Sequence, residues 1–512
     1  MRALLVACAC VGMTALQPAP NRPVPNQTAA ELVGRALDSL GGKARLQALK
    51  TVRTEGMGHD WHLEQSERPE GPWLTSYIQR TEIRDVAAGR LRRETQTRNW
   101  SRPEWAAPAV LVTDGRVVAR ASGDRFLPAP KRETVELTEA LALFPDQLLQ
   151  LADAASDLKL AAPRTLQGMT HDGVMFRWND ESFTVFLNPY THRSTMVEVV
   201  KPDPGGAWGP PVWGDVTERH WFGWWDLIKG VYFARQVTTE WNGFAKREFS
   251  VLKIAVDEPI AAEQLAIPAE AAAAIAQAAA QPRPAGVIDE SRIIAVNAAV
   301  TLIPSGYNVM VVQQPDGLVV FEATTSSEFT ARMLAVIEKR FAGMPIKALV
   351  TTSDAWPHIG GVREFVARRI PIYALDLNLP ILERLVAAKW SESPDTLARA
   401  PQKPIWKTVT ARTTIGSGET RIELIPVRGE LGERMMIAAM PGLGLAYTSD
   451  LIQRSSRGAG FFMPGMLVEV IDAWKREQIA EPERAVGMHL APVAWTEISN
   501  AANAARESKD PS

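Results

Sequence analysis

The sequence predicts two folded units: a β-rich α+β domain of half-barrel type, followed by a layered α/β domain. Three observations predict this. At 512 residues the chain is longer than one hydrophobic core usually serves. From residue 51 to about 256, short apolar–polar alternations recur between turn signals, the period-two pattern of antiparallel strands. From about residue 292 onward, apolar strand-like runs alternate instead with helical patterns, the order of an α/β sandwich.

The composition, 46% hydrophobic and 22% charged, is that of a folded chain. A formal net charge of -2 gives no bulk electrostatic case for nucleic acid or an anionic membrane. Beyond residue 20 no run is long and apolar enough to span a bilayer. The N-terminus reads as an export signal over residues 1–19: Arg2, an apolar stretch over 3–16, then a Pro-rich polar segment. Cleavage is expected near Ala15 or Ala19, and a periplasmic or otherwise exported protein follows. Cys8 and Cys10 both lie inside that segment, so the mature chain carries no disulfide. Leu5-Val6-Ala7-Cys8 has the shape of a lipoprotein box, but the stretch before Cys8 is too short for a normal signal.

The first domain is expected over residues 24–260. Thr28-Ala29-Ala30-Glu31 fits a capping box, Leu32, Val33, Ala36 and Leu40 follow at helical spacing, and Gly41-Gly42 stops the helix. A short second helix is expected over 43–49. Strands then follow, with one helical interval over 138–155. A Gly-Gly-stopped helix followed by long antiparallel strands resembles the half-barrel of periplasmic lipoprotein carriers. Residues 261–286, rich in Ala, Pro and Gln, read as a short helix and a linker.

The second domain is expected over residues 287–505. Strands at 300–303 and 308–313 precede a tight Asp316-Gly317 turn and an apolar strand, Leu318 to Phe321, with an acidic end at Glu322. An amphipathic helix over 327–341 leads to the buried strand Ala348-Leu349-Val350-Thr351. From Val350 to Leu375 the chain reads VTTSDAWPHIGGVREFVARRIPIYAL. Further on come Leu445-Ala446-Tyr447-Thr448-Ser449-Asp450-Leu451 and Val486-Gly487-Met488-His489.

These three separated motifs, in this order, resemble the metallo-β-lactamase superfamily over about two-fifths of the chain. The resemblance implies an αββα sandwich with a metal site at the edge of its sheets. It also implies that most of the usual ligands are missing. Ser353 and Ala355 stand where two histidines would be, Pro357 stands where an aspartate would be, and no histidine occurs near Gly429 to Leu431. The surviving ligand positions are His358, Asp450 and His489. Two imidazoles and a carboxylate are a first shell for one zinc, manganese or iron ion, with open positions for water. Asp354, in the same loop, is the candidate fourth ligand or catalytic base. Arg428 or Arg434 could place a cation where a metal was lost. The packing alternative is that His358 caps a helix, Asp450 braces a loop and His489 is a hydrogen-bonded ring.

Two other features carry weaker signals. His59 and His62 would point to opposite faces of a strand, which argues against chelation. The aromatic cluster from His220 to Trp225, with Trp208, Pro210, Pro211 and Trp213, could line a groove for a hydrophobic ligand, or simply fill a barrel mouth or domain interface. No P-loop, dinucleotide fingerprint, GxSxG elbow or CxxC is present. Three readings follow: a weak single-metal hydrolase on an unknown small-molecule substrate, a non-catalytic binding protein using the old cleft, and a carrier of a hydrophobic ligand in the N-terminal domain.

Overall fold

The computed structural model describes residues 27–63, 74–179, 181–203, 213–280, 288–455 and 460–507. Residues 1–26 with Cys8 and Cys10, the 281–286 stretch, and Trp208, Pro210 and Pro211 lie outside the described residues.

Helix α1 (Ala29–Leu40) starts at the capping box read from sequence: the Thr28 amide donates to Glu31 Oε2 at 2.8 Å and the Glu31 amide to Thr28 Oγ1 at 3.2 Å. Gly41, at φ 131°, ends it, in a conformation that disfavours a Cβ. Helix α2 (Lys43–Gln47) follows. The chain then lays down β1 (Thr51–Trp61), β2 (Thr75–Asp85), β3 (Arg90–Asn99), β4 (Ala109–Thr113), β5 (Val118–Ser122) and β6 (Arg125–Pro128). Two helices come next, α3 (Lys131–Leu143) and α4 (Pro145–Ala154), where the sequence predicts one over 138–155. The break is at Phe144. Pro145 disfavours helical geometry in the residue before it, and Phe144 is extended, at φ -65° and ψ 124°.

Strands β7 (Lys159–Leu166), β8 (Met169–Trp178), β9 (Glu181–Leu187), β10 (Ser194–Pro202), β11 (Asp215–Ile228), β12 (Val231–Trp241) and β13 (Phe244–Val256) complete a 13-stranded sheet. Its order, β6-β5-β4-β3-β2-β1-β13-β12-β11-β10-β9-β8-β7, is antiparallel throughout, with β1 closing against β13. Helices α1 and α4 bury Val33, Leu37, Leu148 and Leu149 against Phe176, Val185, Val197 and Phe233 of the sheet. Helix α3 covers the other wing, through Leu137 and Ala140 on Leu91, Leu111 and Val118. Helix α5 (Ala269–Ala280) falls in the Ala-rich stretch and packs on β5 and β6, with Ile275 buried.

The C-terminal part has four layers. One sheet holds β14 (Ile294–Ala295), β15 (Val300–Ile303), β16 (Val309–Gln314), β17 (Gly317–Phe321), β18 (Ile346–Thr351), β19 (Ile372–Leu375) and β20 (Trp406–Val409) in sequential order. It turns parallel from β17 to β20, because helices α6 (Ser327–Arg340), α7 (Trp356–Ile359), α8 (Val362–Ala367), α9 (Leu379–Ala387) and α10 (Thr396–Arg399) form the crossovers. The second sheet holds β21 (Thr413–Ile415), β22 (Ile422–Pro426), β23 (Met436–Met440), β24 (Leu445–Tyr447), β25 (Arg484–Gly487) and β26 (Leu490–Ala494). Helices α11 (Pro464–Arg476) and α12 (Trp495–Glu507) cover it.

Strand alternation assigns the layers. Val309, Val311, Leu318 and Val320 face the crossover helices, while Met310, Val312, Val319 and Phe321 meet Leu424, Met436, Ala438 and Tyr447 of the other sheet. Ile425, Ile437, Ala439 and Ala446 then face α11 and α12. Both sheets are buried on both faces, which is why their strands read as continuous apolar runs. Among the described residues, no helix is long and apolar enough to cross a membrane. The two parts touch: the Ser391 and Glu392 amides donate to Asp215 at 3.0 and 3.1 Å, and Arg384 lies over Trp213 and Phe244 at 4.8 and 4.5 Å.

Candidate functional site

The parallel strands β17, β18, β24 and β25 end at one edge of the sandwich, where α/β sheets place their ligands. Their loops deliver the chemistry. Glu322 follows β17, Thr352 to Asp354 follow β18, Ser449 and Asp450 follow β24, and His489 sits between β25 and β26. His358 lies in α7, whose first turn contains Pro357. Glu322 and Ser449 have φ of 75° and 53°. Such left-handed backbone is costly for residues with a Cβ and collects at functional sites. Gly361 allows the loop to close: a Cβ there would lie 1.8 Å from Thr330 Oγ1 of α6. Two backbone bonds clamp the same place, Ala323 N to the His358 carbonyl at 2.9 Å and Gly361 N to the Ala323 carbonyl at 2.8 Å.

Tertiary folding brings His358, Asp450 and His489 together. His358 is fully buried, with Nδ1 2.9 Å from Glu322 Oε2 and Nε2 3.0 Å from Asp450 Oδ2. His489 Nε2 lies 3.0 Å from the other oxygen, Asp450 Oδ1. Glu322 is held in turn by the Tyr447 hydroxyl at 2.9 Å and by the Thr352 hydroxyl. The Thr352 and Ser449 hydroxyls are hydrogen-bonded to each other at 2.7 Å. Tyr307 stacks edge-on against both His489 and Trp356, with centroids 5.2 and 5.7 Å away.

Burial alone would discharge His358, but Glu322 and then Asp450 outweigh it, and its pKa is pushed up to about 10. At neutral pH the ring is therefore an imidazolium between two carboxylates. Burial would raise the Asp450 pKa, yet His358 and then His489 hold it well below the carboxylate range. Burial and the nearby Glu322 raise the Tyr447 phenol, so it stays protonated and donates. The close pairs are not all aligned as hydrogen bonds. His358 Nε2 and Asp450 Oδ1 are both buried without a hydrogen-bond partner.

A resident metal would need its ligands to close on one point. Here the two histidine Nε2 atoms lie against different oxygens of one carboxylate. Among the described residues, no three His, Cys, Asp or Glu side chains are arranged to hold an ion. Asp354 does not supply the missing donor: it is buried, and its Oδ2 lies 4.0 Å from Arg434 Nε. The donor set as arranged does not close on one point as a resident metal requires.

Of the two candidate replacement cations, Arg434 faces Asp354, while Arg428 binds Asp376 at 2.9 Å and the Thr410 carbonyl at 3.2 Å. His59 and His62 take separate partners, Glu248 at 3.8 Å and Ser76 at 2.7 Å. The aromatic run divides: Phe222 is buried, Trp225 packs against the core of the first sheet, and Trp224 is exposed. Glu322 and Tyr447 were given no role by sequence. The only signal for Glu322 was an acid closing an apolar strand, and Tyr447 stood only as a member of the Leu445 to Leu451 motif.

No family model matches the chain, and no curated protein matches it. Solved structures similar to it include a metallo-beta-lactamase from Pontibacter korlensis, at 13% identity, covering 42% of this chain and 99% of that one, with a TM-score of 0.33. The metallo-beta-lactamase FIM-1 from Pseudomonas aeruginosa, in its mono-zinc form, is similar at 14% identity over 43% of this chain and 96% of that one, with a TM-score of 0.33. The sec-alkylsulfatase Pisa1 from Pseudomonas sp. is similar at 15% identity over 41% of each chain, with a TM-score of 0.31. At these identities the likeness concerns fold, and the chemistry of this site rests on its own geometry.

Proposed function

We propose that the C-terminal domain of this exported protein is a non-catalytic, metal-independent binding domain that takes a small hydroxylated molecule in the inherited cleft. The observation that carries this is the pair His358 Nε2 and Asp450 Oδ1, buried atoms that face charged neighbours at 3.0 Å but complete no aligned hydrogen bond. Unsatisfied buried polar atoms are costly, so a ligand that serves both is favoured. An imidazolium N–H donates and a carboxylate oxygen accepts. One hydroxyl group does the converse of both. The charge of His358 offsets one of the two carboxylates, Glu322 and Asp450, so the ligand need not be an anion.

The single-metal hydrolase is the second reading. What favours it is the Glu322 carboxylate behind His358, since metal-bound histidines usually have such a brace on the ring nitrogen facing away from the ion. Elemental analysis of the dialysed protein, for wild type and His358→Ala, separates the two. Zinc, manganese and iron well below one equivalent in both is the expected result. About one equivalent in the wild type, lost in His358→Ala, would overturn the metal-independent reading.

A further inference from the structure

A cavity of about 170 Å³ lies inside the N-terminal domain, between the large sheet and helices α3 and α4. Its walls carry an unusual density of charge for an interior. Arg84 makes a bidentate pair with Asp146 at 3.1 and 3.1 Å. Arg93 binds Glu82 at 2.6 Å, and Arg247 grips Asp60 at 2.5 and 2.6 Å. Deeper in, Lys201 binds Glu139 and lies 3.2 Å from Glu218. Buried charges are tolerated when paired in this way.

Arg80 breaks the pattern. It lines the cavity beside these pairs, yet among the described residues it makes no ion pair or hydrogen bond, and its Nε is buried without a partner. Its guanidinium carbon lies 5.3 Å from the centroid of the Phe249 ring. Every neighbouring carboxylate is already engaged by another cation. Burial, then Arg93 and Arg247 nearby, push the Arg80 pKa down to about 9, and Glu82 and Asp60, each bound directly to another cation, offset only part of this. Beyond Phe249 the wall changes character. Phe222, Phe233, Val237, Val251 and Ile254 form an apolar surface continuous with the charged end.

A guanidinium with no carboxylate bound directly to it at one end and hydrocarbon at the other describe one class of ligand. We propose that this cavity binds an amphipathic anion, its head group paired with Arg80 and its hydrocarbon chain laid along Phe222, Phe233, Val237 and Ile254. The head would be a carboxylate or a phosphate monoester, both of which match the guanidinium fork.

The test is calorimetric titration of the full chain with decanoate, decyl phosphate, decanol and decyltrimethylammonium. At least one of the two anions is expected to bind about tenfold or more tighter than decanol, and the tighter anion identifies the head group. Arg80→Gln should bring that anion to the level of decanol. Val237→Trp, which fills the apolar end, should weaken every ligand. The proposal is overturned if neither anion binds, if decanol or the ammonium binds as tightly as the better anion, or if folded Arg80→Gln binds the anion unchanged. Should Arg80→Gln fail to fold, the ranking of the four ligands on the wild type decides alone.

Discussion

Replacing His358 by alanine removes the only positive charge between Glu322 and Asp450, and leaves both carboxylates at a buried edge. Removing one partner of a buried ion pair typically costs about 3–5 kcal/mol, because the remaining charge is uncompensated. Here two carboxylates lose their shared partner, one at 2.9 Å and the other at 3.0 Å. His489 remains beside Asp450 and offsets part of the loss, so a destabilisation of about 3–4 kcal/mol at pH 6.5 is expected. The pH dependence is the sharper test. The folded pKa of His358, about 10, lies above its unfolded value of 6.5. Between these values the folded state binds the extra proton, so stability falls as pH rises. The advantage of wild type over His358→Ala should be complete below pH 6.5 and shrink toward pH 10. The limiting slope is about 1.4 kcal/mol per pH unit. Urea unfolding of both proteins at pH 6.5, 8 and 9.5 measures this. A gap below about 1 kcal/mol at pH 6.5, or one that does not change with pH, would refute the buried imidazolium.

Three further outcomes are expected. Gly361→Ala should destabilise the C-terminal domain by about 1–3 kcal/mol in the same urea assay, because the new Cβ would sit 1.8 Å from Thr330 Oγ1; an unchanged midpoint would mean that α6 and the loop separate freely. Limited proteolysis of the native protein should cut first between residues 261 and 286, giving two protected fragments; a first cut inside either sheet would contradict the division into domains. Protein recovered from its native host should begin after residue 15 or 19 and lack Cys8 and Cys10, as intact mass will show; retention of those residues would remove the export reading.

Much of the architecture was legible because it rests on local physics. The Thr28–Glu31 capping box, the Gly41 stop, the alternation of the large sheet and the doubly buried strands of the sandwich are all set by residues a few positions apart. The break at Phe144 was equally local, and the Pro145 rule would have found it. The sequence also showed that Ser353, Ala355 and Pro357 cannot supply the usual ligands, because that follows from side-chain identity alone.

Only tertiary structure decided what the surviving residues do. Glu322, His358, Asp450 and His489 share no periodicity, and their meeting depends on four strand ends reaching one edge. Whether His358 offers a lone pair or carries a proton depends on Glu322, a residue on a different strand, and on the exclusion of water. Likewise, Arg80 reads from sequence as one more charged residue on an alternating strand. That it has no carboxylate bound directly to it, unlike the three arginines around it, is fixed by how Asp60, Glu82 and Asp146 find Arg247, Arg93 and Arg84. Local pattern specifies elements because backbone geometry repeats over a few residues; charge state and pairing arise from distances between segments far apart in the chain.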